Sequence, residues 1–138
     1  MKSFDDLIRG RHGTWAGWIT VQDREWLAEF LQREYLDREI KPTIIEIGVF
    51  AGSTTNLICL ASGGSVIAVD DWSGGPHHPD FASLRENFIH NTTETGFYPD
   101  RVRIVDGSSL HVGPTWKERV NIVYVDGDHS YEAARLDI

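Results

Sequence analysis

Cysteine is almost absent from this chain: its 138 residues include one, Cys59. A single thiol excludes an internal disulfide framework and a zinc site built from cysteines, and it is typical of a reducing compartment. No apolar run approaches the roughly 18 residues that a membrane span needs, and polar residues follow the first methionine. We therefore expect a cytoplasmic protein without a secretory signal peptide or a membrane segment.

Basic side chains are also scarce, since 13 Lys and Arg stand against 21 Asp and Glu, for a net charge of −8. Such a field repels phosphate backbones, so nucleic acid is not an expected partner. Glycine is plentiful by contrast, at 13 residues, and it gathers where a strand is predicted to turn into a helix.

Short β-branched runs alternate with helical patterns along the chain. Thr20 and Asp23 form a predicted N-terminal capping pair for a helix that ends near Asp37. Strands are predicted at 43–47, 65–69, 101–105 and 120–125, with helices at 53–62 and around 81–89. This alternation is typical of an α/β fold, a Rossmann-like doubly wound parallel sheet in three αβα layers with strand order 3-2-1-4.

We read residues 1–138 as one domain in which 1–40 form an N-terminal helical segment. The run at 120–125 has the composition of a strand buried on both faces, yet no fifth strand follows it. Two explanations stay open: a second copy pairs with this strand in a homodimer, or the chain is the front part of a longer fold. We favour the longer fold.

A glycine-containing turn follows the first strand. Glu46, Gly48 and Gly52 lie between that strand and the next helix, where glycine permits close backbone approach and the free amides from Ser53 onward face a ligand. Asp70 comes 22 residues after Gly48, at the end of the next strand, where an acid accepts ribose hydroxyls. The pattern predicts a nucleotide-cofactor site.

The residues of this turn discriminate between cofactors. A dinucleotide site uses a second glycine two positions after the first, but that position holds Phe50, whose side chain would crowd a diphosphate. Glu46 would also place negative charge beside it. S-adenosylmethionine carries a sulfonium and an ammonium and no phosphate, so the turn favours this methyl donor over NAD.

Three segments then resemble a known family: EIGVFAGST at 46–54, VIAVDDW at 66–72 and VYVDGDHSYE at 123–132. They are similar to class I S-adenosylmethionine-dependent methyltransferases, in the branch called methyltransferase family 24, with macrocin-type sugar O-methyltransferases and cephalosporin-hydroxylase-like proteins. The resemblance implies a cofactor site made of Glu46, Gly48, Gly52, Ser53, Asp70, Trp72, Gly107, Ser108 and Asp126. Many relatives have an acid where Ser108 stands.

Asp126 and His129 are the candidates for chemistry. A strand-end aspartate beside the sulfonium suits Mg²⁺, and metal-dependent O-methyltransferases, which this half resembles more distantly, place a base three residues later. His129 would take a hydroxyl proton while the methyl group transfers, and a metal at Asp126 would lower the pKa of that hydroxyl. The structural alternatives are a turn-capping acid and a loop-fixing histidine.

The expected function is O-methylation of a small-molecule hydroxyl, on a sugar or a glycosylated metabolite, with magnesium assistance. The alternative is a catalytically inactive cofactor-binding fragment or pseudoenzyme of the same fold. Two weaker hypotheses are a non-methylating, hydroxylase-like member of the same lineage and one half of an NAD-binding dehydrogenase.

Overall fold

The computed structural model describes residues 19–74 and 83–127, with positions 132, 135 and 136 near the end of the chain. The predicted base His129 lies outside the described residues. The elements are α1 Val21–Leu31, continued by a π-helical turn Gln32–Leu36, β1 Thr43–Ile47, α2 Ser53–Ser62, β2 Ser65–Asp70, α3 Leu84–Glu94, β3 Val102–Asp106, α4 Ser109–Val112 with a 3₁₀ turn Gly113–Thr115, and β4 Ile122–Val125.

Helix α1 begins at the predicted capping pair. The Thr20 hydroxyl accepts the N–H of Asp23 at 3.1 Å and donates to its carboxylate at 2.6 Å, which satisfies one amide of the first turn. The longest helices have 11 residues, and none among the described parts of the chain is long and apolar enough to cross a membrane.

The four strands form one parallel sheet in the order β3-β2-β1-β4, which confirms the predicted topology. Hydrogen bonds continue past the strand ends: Asp126 N donates to Ile47 O at 2.8 Å, and Gly48 N donates to Val69 O at 2.9 Å. Gly107 N donates to Asp70 O at 3.0 Å on the far side. All four carboxyl ends therefore meet at one edge of the sheet.

The two faces of the sheet carry separate apolar clusters. On one face, α1, α2 and α3 bury residues such as Leu31, Leu57 and Phe88 against β1 and β2. Cys59 belongs to this cluster, and burial raises the pKa of its thiol to about 12, as expected for a core residue. On the other face, a smaller cluster of strand residues packs against the segment that follows β3.

Strand β4 does not match its predicted burial on both faces. Val123 and Val125 are 50% and 39% exposed, whereas Ile122 and Tyr124 on the opposite face pack against the larger cluster. Val123 is in register with Ile45, which is only 7% exposed. The segment after β3 covers Ile45 but does not extend over β4, so among the described residues this strand has one covered face.

Candidate functional site

The turn after β1 brings the end of β4 into contact with it. Gly48 has φ +80°, and a Cβ there would lie 2.5 Å from the carbonyl oxygen of Asp126 and 2.6 Å from Cα of Gly127. Gly52 has φ +85°, and its Cβ would lie 3.0 Å from the Phe88 ring. Both glycines are thus required by contacts within the chain, a reason that differs from the predicted approach of a ligand.

The Asp70 carboxylate connects the turn after β1 with the loop after β2 through hydrogen bonds. One carboxylate oxygen accepts the N–H groups of Val49 at 2.9 Å and Phe50 at 3.2 Å, and the other accepts the N–H of Trp72 at 2.8 Å. Asp70 therefore lies against the Gly48 turn, where the motif interpretation requires it. A carboxylate offers about four acceptor positions, so three backbone amides occupy most of them.

Two aromatic residues held by Asp70 have strained backbones. Phe50 has φ +47° and Trp72 has φ +61°, a region that bulky side chains rarely adopt. Such strain persists only where surrounding contacts overdetermine it, and it concentrates at functional sites. The hydrogen bonds that Asp70 accepts from the backbone N–H groups of Phe50 and Trp72 supply those contacts.

Glu46 is buried inside the sheet edge, with 1% of its surface exposed. Its Oε2 accepts the Thr55 hydroxyl at 2.5 Å, while its Oε1 has no hydrogen-bond partner among the described residues. Burial raises the pKa of Glu46 to about 8; the hydrogen bond from Thr55 opposes this rise, and the charges of Asp126 and Asp70 add to it. An unsatisfied interior oxygen is costly, so a donor that reaches it would stabilise the site.

The side chain of Trp72 is also fixed. Its Nε1 donates to Asp106 at 2.7 Å, and its ring lies 5.5 Å from that of Phe88. Arg85 grips the same Asp106 carboxylate with two bonds, at 2.7 and 3.1 Å, and the hydrogen bond from Arg85 is the main reason the pKa of Asp106 is lowered. Asp106 was expected at this sheet edge as the end of the third strand, but its bonds to Trp72 and Arg85 were not predicted from the sequence.

The predicted loop after β3 makes contacts of its own. Gly107 has φ +149°, and its N–H donates a hydrogen bond to the carbonyl oxygen of Asp70. The Ser108 hydroxyl lies 2.7 Å from Nδ1 of His111. The structure thus places both residues at the sheet edge beside Asp70.

Arg24 is a further residue at this site that sequence reasoning missed. Its Nη1 donates to the Ser53 hydroxyl, at the start of α2, over 2.8 Å, and only 3% of the residue is exposed. The signal was present in α1, because buried residues recur there at helical spacing and the arginine occupies one of these positions: Arg24, Leu27, Ala28 and Leu31.

The predicted magnesium site is not assembled by the described residues. Asp126 follows β4 and lies against Gly48, half-buried. No group of three His, Cys, Asp or Glu side chains within residues 19–74 and 83–127 is placed to hold a metal ion. Asp128 and His129 lie outside the described residues, so the metal and base assignments stay predictions.

Comparisons with known proteins identify the family and the fold of the chain. A family model described as a methyltransferase domain, methyltransferase family 24, matches residues 45–138. The chain belongs to this family of class I S-adenosylmethionine-dependent methyltransferases.

Solved structures show the same fold. Rv0187 from MTB, solved with its cofactor bound, matches 99% of the chain at TM-score 0.66 and 17% identity. A protein described as a caffeoyl-CoA O-methyltransferase from Staphylococcus aureus matches 99% at 0.67 and 13%. A SAM-dependent methyltransferase from Thiobacillus denitrificans, in complex with S-adenosyl-L-homocysteine, matches 93% at 0.58 and 12%. The chain spans 60%, 58% and 44% of their lengths, respectively.

Proposed function

We propose that this chain binds S-adenosylmethionine at the carboxyl edge of its sheet and methylates a hydroxyl oxygen of a small molecule. The observation that carries this proposal is the meeting of the Gly48 turn, Glu46, Asp70 and Asp126 at one edge. The family membership of residues 45–138 supports it.

The charges of the site fit this cofactor, which supplies an activated methyl group on a sulfonium. Asp126 and Asp70 lie close enough to Glu46 for their charges to raise its pKa, and together the three carboxyl groups favour a cationic ligand. Glu46 Oε1 is buried without a hydrogen-bond partner among the described residues, so a hydrogen bond from an ammonium group would stabilise this oxygen most. Binding of a cation there would return Glu46 to its charged form.

Asp70 would have a narrower role than the sequence suggested. Because three backbone amides already use its oxygens, we propose that it accepts one ribose hydroxyl and mainly holds the strained turns in place. Trp72, fixed by Asp106, would cover the edge of the adenine, and the Gly107–Ser108 loop would lie beside it.

In the proposed reaction His129 accepts the hydroxyl proton of the acceptor. As the acceptor oxygen forms its bond to the methyl carbon, the bond from that carbon to sulfur breaks, so positive charge is lost at sulfur and the proton stays on His129. A carboxylate at Asp126 would hold the reactants in line. The magnesium dependence predicted from the sequence remains a prediction.

The alternative is a fold that binds the cofactor without turnover. This alternative needs only the cofactor edge of the sheet, whose contacts at Gly48, Asp70 and Glu46 are formed within the described residues. An acceptor assay separates the two functions, because an inactive fold binds but does not consume the methyl donor.

Calorimetry with S-adenosylhomocysteine is the decisive experiment, with NAD as the control ligand and with Mg²⁺ or EDTA present. We expect micromolar binding of S-adenosylhomocysteine and none of NAD, and, in a separate assay with S-adenosylmethionine as the donor, methyl transfer to candidate sugars. A folded chain that binds neither compound would overturn the proposal. Loss of transfer in EDTA, with binding unchanged, would support a metal at Asp126. Cell fractionation would test the cytoplasmic location in the same programme.

A further inference from the structure

Trp72 is held by contacts from three elements. Its backbone N–H donates to Asp70 at 2.8 Å, its indole Nε1 donates to Asp106 at 2.7 Å, and its ring lies 5.5 Å from that of Phe88. These partners belong to β2, β3 and α3, respectively. The backbone of Trp72 and its side chain are therefore both fixed in one orientation within the protein itself.

Arg85 acts on Trp72 through the Asp106 carboxylate. Its Nε donates at 2.7 Å to Asp106 Oδ1, the same oxygen that accepts the indole N–H, and its Nη2 donates to Oδ2 at 3.1 Å. Two bonds from one guanidinium fix the plane of a carboxylate. Without them the Asp106 side chain, which is 56% exposed, would be free to rotate in solvent. Arg85 thus determines where the acceptor of the indole lies.

The Arg85–Asp106 pair is poorly placed for a stabilising role alone. Both side chains are half-exposed, so water and salt screen their attraction. Arg85 also lies in the first turn of α3, where the helix dipole disfavours a positive charge. The orientation of Trp72 accounts for a cation at this position, whereas the stability of the helix does not.

We propose that Arg85 is a positioning residue for cofactor binding: through Asp106 it holds the Trp72 indole in the orientation that covers the adenine. This inference rests on the proposed function and adds to it a residue that acts through two others. A side chain that is already ordered loses less conformational entropy when a ligand packs against it. The pair therefore contributes to the affinity for the cofactor more than to the stability of the fold.

The test measures the binding of S-adenosylhomocysteine to the full chain by calorimetry. Arg85→Gln removes the guanidinium fork and should weaken binding about threefold, because the ligand must then order the indole. Asp106→Ala also removes the acceptor of the indole and should weaken binding about tenfold. Asp106→Asn keeps an acceptor oxygen without the charge, and its affinity should lie between those of the wild type and Asp106→Ala.

Arg103→Gln is the matched control. Arg103 also pairs with a carboxylate, that of Glu118 at 2.7 Å, with both side chains half-exposed, and its guanidinium lies 5.6 Å from the ring of Trp116. Arg103 is near the start of β3, whereas Asp106 is the last residue of that strand. Loss of this second ion pair should leave the affinity for S-adenosylhomocysteine unchanged.

A double-mutant cycle separates positioning from a general loosening of the fold. Trp72→Phe keeps an aromatic ring and removes the indole N–H that Asp106 accepts. Because Arg85 acts through that N–H, adding Arg85→Gln to Trp72→Phe should cause no further loss of affinity. The indole N–H resonances give a second readout in the ligand-free protein. Arg85→Gln should shift the resonance that Trp72→Phe removes, and Arg103→Gln should not.

Three results would overturn the proposal: an unchanged affinity in Arg85→Gln, an equal loss in Arg103→Gln, or the same loss with and without Trp72→Phe. If the wild type binds no S-adenosylhomocysteine, the proposed function fails, and the role of Arg85 in binding fails with it. An unshifted indole resonance in Arg85→Gln, in a protein that does bind, would instead show that Arg85 does not position Trp72. The two failures are therefore distinguishable.

Discussion

The two neighbours of β1 differ more than their sequences do. Both β2 and β4 are short apolar runs in parallel register with β1. Val66 to Val69 of β2 are buried on both faces, whereas Val123 and Val125 of β4 are half-exposed. The two strands differ in the segments that pack on their faces. An apolar run therefore predicts that a strand belongs to the sheet but not whether both of its faces are buried.

The carboxyl ends of the same strands differ in a second way. At the end of β2, Asp70 binds backbone amides, and at the end of the neighbouring β3, Asp106 binds an indole and a guanidinium. At the end of β4, the chain is held by its close contact with Gly48. The ends of β2 and β3 are held by side-chain hydrogen bonds, and the end of β4 by the backbone hydrogen bond from Asp126 to Ile47 and by close packing on Gly48. Four predictions separate these two regions.

Gly48→Ala should lower the free energy of unfolding most, because the added Cβ would disrupt the contact between the turn after β1 and the end of β4. The left-handed backbone and the clash with Asp126 together should cost about 3 kcal/mol or more. Gly96→Ala is the matched control, since Gly96 has φ +77° with nothing within 4 Å of a Cβ, and it should cost about 1 to 2 kcal/mol. Urea unfolding measures both, and equal losses would contradict the contact.

Glu46 lies on β1, between β2 and β4, and its raised pKa predicts that the stability of the fold depends on pH. Its folded pKa, about 8, lies above its ordinary value of 4.5, so folding favours the protonated form. The stabilisation is complete below about pH 4.5 and disappears as the pH rises toward 8, a loss on the order of a few kcal/mol.

Glu46→Gln should flatten this part of the stability curve, and the exposed Glu86→Gln should leave the curve as in the wild type. Urea unfolding from pH 5 to 9 provides the measurement. An unchanged slope in Glu46→Gln would show that Glu46 is not the titrating group. Added S-adenosylhomocysteine should reduce the slope in wild-type protein if its ammonium pairs with Glu46.

The same substitution in each strand tests the comparison directly. Val66 is 1% exposed, and Val66→Ala should cost about 2 kcal/mol. Val123 is 50% exposed, and Val123→Ala should cost less than about 1 kcal/mol. Equal losses would mean that the outer face of β4 is covered in solution, and sedimentation at several concentrations would then test the predicted homodimer.

Arg85→Gln should have the smallest effect on stability. The pair with Asp106 is exposed, with side chains 44% and 56% accessible, so water and salt screen it. We expect a loss below about 0.5 kcal/mol in thermal unfolding. A loss well above this would make the polar fastening of β2 and β3 a major stabilising contact.

The local elements were largely predictable. Thr20 and Asp23 form the predicted cap, and the helix at 53–62 and the strand at 43–47 have the predicted limits. These features depend on neighbours in the chain, through capping bonds and the spacing of apolar residues. The strand order was predictable as well, because right-handed crossovers leave few alternatives.

Local patterns along the chain were enough to predict the parallel sheet, its strand order and the edge at which the acidic and glycine residues gather. The contacts of those residues follow from how the chain packs: Asp70 binds backbone amides, Gly48 makes room for the end of β4, and Arg24 reaches Ser53 from a distant helix. Periodicity and composition are local properties, whereas burial and hydrogen-bond partners depend on which segments meet in space. For that reason the strand predicted at 120–125 is present, at 122–125, whereas its half-exposed face was not predicted.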